Sequence, residues 1–290
     1  MKLSSSIPLI SLAAATAAAA TAEASSSSSP PQYIFSNPPA SSSSGYRIPT
    51  SYESAVLGRR ILALTALGNL ATVFPGSSNG QYEAEENRPS GLDGMPHTLM
   101  EYVADCEDDG NPTFLAINVE TTFKNVRDGS NISLAQQWTP PYPPDKRIKS
   151  TSTTPLSQLL NWLGFGSDDD EGPKDMVPYS AANLPRFSLL GYVEKIDEND
   201  VSTAALSDCF VKKHPDAKYW LPGNRIHVSE FVRLVVQQVY WVGGFGDRAY
   251  IGWIPVDEWK NVTREEWESV SLPGEKKGWK EWSLETVGDL

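Results

Sequence analysis

The segment Ile226–Val242 constrains the fold more than any other part of the chain. Phe231, Val235, Val239 and Trp241 share one parity, with Arg233 and Gln237 between them, and the opposite parity is also mostly apolar. An alternating run of this length predicts a strand, and apolar residues on both parities predict that both of its faces are covered. The glycine-rich stretch Gly243–Gly246 follows, and Asp247–Trp253 can pair back across it as a hairpin.

Five further strand-like runs accompany this one, among them the hairpin return: Asn69–Phe74, Pro112–Asn118, Asn131–Trp138, Arg186–Ile196 and Asp247–Trp253. Helical patterns are fewer. Thr50-x-x-Glu53 fits a capping box ahead of Leu57, Ile61 and Leu64, with Gly68 as the expected stop. A helical turn is expected over Thr121–Arg127, and a helix over Val201–Lys213 that ends before Pro215. About six strands with few helices favour a barrel with flanking helices, because closure removes exposed strand edges.

The amino terminus has the pattern of a secretory leader. Lys2 precedes the apolar, Ala-rich stretch Ile7–Ala22, and Ala20-Thr21-Ala22 offers small residues for cleavage. Residues 1–22 are therefore expected to be a signal peptide, directing the chain to the outside or to an endomembrane or vacuolar lumen. Residues 23–49, with the runs Ser25–Ser29 and Ser41–Ser44, lack the apolar residues of a core and are expected to be a disordered leader. Residues 50–290 form the expected folded domain, with a surface insertion at about 139–184. No later stretch reaches about 18 consecutive apolar residues, so no membrane span is expected. A net charge of −12 argues against nucleic acid as a partner.

In a secreted chain, Asn131-Ile132-Ser133 and Asn261-Val262-Thr263 become N-glycosylation acceptors. Cys106 and Cys209 are the only two cysteines. In an oxidising compartment they can form one disulfide, and the alternative is two buried thiols.

Motifs of catalysis are weak. Gly76-Ser77-Ser78-Asn79-Gly80 has the form of a nucleophile elbow, but an acidic, unpatterned sequel makes it a turn. Gly243–Gly246 lacks the helix start of a phosphate loop and is read as a hairpin turn. His97, His214 and His227 have no metal-ligand spacing, and His214 is read as a cation at a helix end. Asp168–Glu171 lacks the spaced ligands of a calcium loop. Tyr219, Trp220, Tyr240, Trp241 and Trp253 can serve a planar-ligand site, an interface or the core.

Several blocks resemble the CREG family, secreted glycoproteins with the split-barrel fold of pyridoxamine 5′-phosphate oxidase. They are Tyr52–Phe74 with Gly68–Thr72, Pro112–Leu134 with Asn125-Val126, Phe187–Asp197, Cys209–Trp220 with His214-Pro215, and Gln238–Val242 running through Gly243–Gly246 to Ile254–Trp259. They keep the family's order from Tyr52 to Trp259. The resemblance implies a split β-barrel of the FMN-binding type, mainly β with flanking helices. It implies a homodimer with the relatives' flavin cleft at the subunit interface, and a chain that need not bind flavin.

Flavin-using relatives carry an Arg-Lys pair ahead of the helical turn, and this chain has Thr121-Thr122 there, with Lys124 nearby. Thr113–Asn118, the strand that supplies other basic contacts in relatives, has no Arg or Lys. Thr121, Thr122 and Lys124 are thus the residues that would face an FMN phosphate, and no cofactor is expected. The expectation is a secreted, non-catalytic glycoprotein that binds an extracellular protein or a small planar ligand such as heme. The alternative is an FMN-dependent oxidoreductase.

Overall fold

The computed structural model describes residues 47–76, 88–143, 180–197, 201–246 and 249–279. The expected signal peptide, the Ser/Pro leader to residue 46, Ser78, Asp168–Glu171 and most of the 139–184 insertion lie outside these residues.

Helix α1 (Ser51–Leu64) opens on the expected capping box: the Glu53 N–H donates to Thr50 Oγ1, and the Thr50 N–H donates to the Glu53 carboxylate. It ends at Leu64, earlier than the expected stop at Gly68. Gly68 instead belongs to strand β1 (Leu67–Val73). Strands β2 (Pro96–Tyr102) and β3 (Thr113–Ile117) follow, then helix α2 (Thr121–Arg127) and strands β4 (Ile132–Gln137) and β5 (Arg186–Lys195). Helix α3 (Thr203–Lys213) precedes the long strand β6 (Ser229–Val242) and its hairpin partner β7 (Ile251–Ile254). Two short helices, α4 (Val256–Asn261) and α5 (Arg264–Ser269), complete the described chain.

All strand pairs are antiparallel, in the order β2-β1-β4-β5-β6-β3, with β7 on β6. The two ends of this series meet just beyond β2. Ala104 bridges Thr113, each N–H donating to the other's carbonyl at 3.1 and 2.7 Å. That bridge closes the sheet into a barrel with a split between β2 and β3. Among the described residues, no helix is long and apolar enough to cross a membrane.

Strand β6 buries both faces only in its first half, at Phe231 on one side and Val232 and Leu234 on the other, because Gln237, Gln238 and Tyr240 leave the outer face exposed beyond, and its two halves face opposite ways. The register against β5 slips between Leu190 and Gly191, so that Leu190 pairs with Gln238 and Gly191 with Val236, leaving Gln237 as the extra residue of a bulge. Val232, Leu234 and Val236 point into the barrel before the bulge, and Val239 and Trp241 point in after it. Phe231, which shares parity with Trp241 in the sequence, therefore lies on the outside.

The barrel interior joins Leu70 of β1, Leu134 of β4, Phe187 and Leu189 of β5 and Trp241 of β6 with Ile61 and Leu62 of α1. A second apolar cluster lies outside the wall, where Leu206 and Phe210 of α3 cover Leu115 and Phe231. Leu206 and Phe210 are four residues apart and so share one helix face, and burying such a side chain stabilises by about 1.5–3 kcal/mol. Lys213 ties α3 to α1: its Nζ donates to the carbonyls of Leu62 and Ala63 at the end of α1, at 2.9 and 3.0 Å. Burial lowers its pKa to about 8.

His214 is not the cation that its helix-end position suggests. It is buried, stacks on Tyr102 with ring centroids 4.5 Å apart, and holds Nε2 3.0 Å from the Val103 carbonyl. Burial depresses its pKa below the ordinary value, so the ring donates Nε2–H to that carbonyl as a neutral imidazole. Arg59 is fully buried. Its guanidinium donates to the carbonyls of Trp259, Val262 and Asp108 and pairs with Asp105 at 3.1 Å, fastening α1 to α4 and to the loop after β2.

Candidate functional site

From the Ala104–Thr113 bridge, β2 and β3 diverge, and a cavity of about 250 Å³ opens between them. Met100, Glu101 and Tyr102 contribute from β2, and Phe114, Leu115 and Ile117 from β3. Helix α2 adds Phe123, with Glu120 just before it, and Phe210 and Trp220 close the outer side. The cavity exists because β2 is paired on one side only along its length. It is registered to β1 from Val73↔Pro96 to Leu67↔Tyr102, while its other edge is held at Ala104 alone.

Among the described residues, Glu101 and Glu120 are the only charged side chains that line this slit. Burial raises the Glu101 pKa to about 6. Burial raises Glu120 further, to about 7; the charge of Glu101 adds to the rise, and the hydrogen bond from the Ile117 N–H, at 3.3 Å, opposes it. The Tyr102 hydroxyl is turned away from the two carboxylates and donates to Asp216 at 2.5 Å.

The residues expected to face a flavin phosphate lie beside this slit. Thr121 is half-buried at the first position of α2. Thr122 is fully buried, and its hydroxyl has no hydrogen-bond partner. Asn125, one turn on, donates to Thr72 Oγ1 at 3.1 Å in the barrel interior. Lys124 is half-buried on the same helix. These residues do not fit a phosphate dianion: one hydroxyl is sealed inside, and the residue that caps α2 is the carboxylate Glu120, with Glu101 beside it. Charge-assisted contacts to a phosphate contribute about 1.5–3 kcal/mol each, so losing one weakens binding by tenfold or more.

The remaining candidates are spread out. Cys106, in the loop after β2, is bonded to Cys209 on α3, with Cα atoms 5.8 Å apart. Asn131 is exposed just before β4, on the rim of a separate recess that also includes Phe74 and Ser130. Asn261 is exposed at the end of α4. His97, His214 and His227 lie on β2, at the end of α3 and before β6, and no group of metal-ligating side chains occurs among the described residues. Trp220 reaches the slit, Trp241 is core, and Tyr240 and Trp253 meet edge-on across the β6–β7 ladder at 5.1 Å. Glu101 and Glu120 are absent from the sequence expectations.

A family model described as "CREG, beta-barrel" matches residues 49–261. No curated protein matches the sequence significantly. Among solved structures, a heme binding protein from Mycobacterium smegmatis is similar, with 17% identity and a TM-score of 0.45, over 73% of this chain and 60% of that one. The protein Atu2129 from Agrobacterium tumefaciens is similar at 19% identity and a TM-score of 0.41, over 76% and 62%. The chain thus spans less than two thirds of the length of either. The heme storage protein HutZ from Vibrio cholerae is similar at 9% identity and a TM-score of 0.36, over 62% of this chain and 89% of that one.

Proposed function

Because this chain belongs to the CREG β-barrel family, we propose that it is a secreted, non-catalytic glycoprotein that acts by binding, and not a flavoenzyme. The observation that carries this reading is the pair Glu101 and Glu120, set beside Thr121 and Thr122 where flavin-using relatives carry cations. A phosphate dianion brought there would meet carboxylates in place of guanidinium and ammonium groups.

Three features support the secreted state: the apolar stretch Ile7–Ala22, the exposed acceptors Asn131 and Asn261, and the Cys106–Cys209 bond. Self-association, which the resemblance implies, has a surface to use. Leu99 and Met100 on β2 and Val119 before α2 are at least half exposed, and pairing of two copies would remove such apolar area from water.

The test is an absorption spectrum and intact mass of the natively secreted protein, followed by thermal unfolding with and without FMN. The expected protein is colourless, lacks residues 1–22, carries glycans at Asn131 and Asn261, and unfolds at the same temperature with FMN present. A flavin band that survives purification overturns the reading in favour of an FMN-dependent oxidoreductase. A Soret band points instead to heme.

A further inference from the structure

The slit between β2 and β3 has two acidic side chains and otherwise apolar or aromatic walls, and among the described residues no cation lines it. Each carboxylate is largely removed from water, and the charge of Glu101 opposes ionisation of Glu120. An anion would deepen that repulsion, and a neutral apolar molecule would leave it in place. A hard divalent metal requires six or more oxygen ligands, whereas the other lining side chains are Met, Leu, Ile, Phe, Trp and a tyrosine whose hydroxyl is engaged by Asp216. A volume of about 250 Å³ corresponds to about eight waters, enough for one ring with a short chain.

Deepening the reading of a binding protein on which it rests, we propose that this slit binds a small organic monocation, with its ammonium group between Glu101 and Glu120 and its apolar or aromatic body against Phe123, Phe210 and Trp220. The ammonium relieves the mutual repulsion of the carboxylates, and the aromatic walls add cation–π and apolar contact. Binding requires the ionised carboxylates, so the site fills at neutral pH and empties as pH falls through the range in which Glu120 and Glu101 take up protons.

The test is calorimetric titration of the full secreted protein with phenethylamine, which stays protonated throughout, at pH 8 and pH 5. The uncharged 2-phenylethanol and the anionic 3-phenylpropionate serve as comparators. The expected result is saturable amine binding at pH 8. It should weaken at least tenfold at pH 5, at least tenfold in the Glu101→Gln/Glu120→Gln double variant, and at least tenfold for both comparators. The glutamines keep side-chain shape, and an unchanged near-ultraviolet dichroism spectrum establishes that the variant is folded. Absence of amine binding, equal binding of the alcohol, or undiminished binding by the folded double variant overturns the proposal. Flavin in the purified protein sinks the preceding reading together with this one, whereas a flavin-free protein that ignores the amine sinks this one alone.

Discussion

Gly191 approaches the backbone of Val235 so closely that a Cβ built on it would lie 1.9 Å from the Val235 carbonyl oxygen. The contact sits where β6 bulges at Gln237, the point at which the long strand turns its apolar residues from one side of the wall to the other. Only a residue without a side chain lets the two strands keep that register. Gly191→Ala should therefore destabilise the fold by about 3 kcal/mol, read as a lower midpoint in chemical denaturation. A loss well below about 1 kcal/mol would mean that the strands separate there without consequence.

The slit carboxylates set a pH dependence of stability whose sign follows from their raised pKa values. Between the ordinary value of 4.5 and about 6 for Glu101 or 7 for Glu120, the folded protein retains protons that the unfolded chain has released. Stability from these groups is full below pH 4.5 and is lost as pH rises through the folded-state values. Glu101→Gln and Glu120→Gln should each raise stability at pH 8 by about 1 kcal/mol, after allowance for the screening of partly exposed groups. At pH 4 they should change it little. Denaturation midpoints of the three proteins at both pH values decide this, and a glutamine variant less stable than its parent at pH 8 would contradict it.

Arg59 and Asp105 form an ion pair that is almost wholly out of water. Burial pushes the Asp105 carboxyl up, and Arg59 pulls it back part of the way. Arg59→Met strands that carboxylate and the three backbone carbonyls of Asp108, Trp259 and Val262, and should cost about 3–5 kcal/mol. Adding Asp105→Asn should recover part of the loss, because the stranded charge goes with it. A double-mutant cycle in denaturant measures the coupling.

The Cys106–Cys209 bond joins positions 103 residues apart. Its loss frees a long loop in the unfolded chain, and reduction should lower stability by about 2–5 kcal/mol. Thermal unfolding with and without reductant, compared with a Cys106→Ser/Cys209→Ser variant, reads the effect. Equal unfolding temperatures would contradict it.

Much of the barrel was legible because its strands follow local rules. Asn131–Trp138 and Arg186–Ile196 read as strands because part of each alternates as one face meets the core, and they form β4 and β5, which pair with each other. Strand β2 was not legible: Pro96–Tyr102 pairs fully with β1 but buries no side chain deeply, so it shows no alternation. The reversal of β6 at Gln237 was equally hidden, since both parities are apolar and only the register against β5 reveals the switch. Helix α5 did carry a signal, the capping box Thr263-x-x-Glu266 realised in the structure, but its 6 residues are too few for an apolar period to show. Glu101 lies on β2 and Glu120 just before α2, and they line one slit only because the wall divides between β2 and β3. No local pattern could bring them together, whereas Thr121, Thr122 and Lys124 could be found by counting along a family block.

The ring of strands is fastened at one place by the two backbone hydrogen bonds between Ala104 and Thr113, with the Cys106 N–H donating to Thr113 Oγ1 beside them. Undoing them costs about 1–3 kcal/mol, far less than parting any of the multi-residue ladders elsewhere in the sheet. That seam is therefore where the ring opens with the fewest broken strand-to-strand bonds, and local opening of this kind needs no global unfolding.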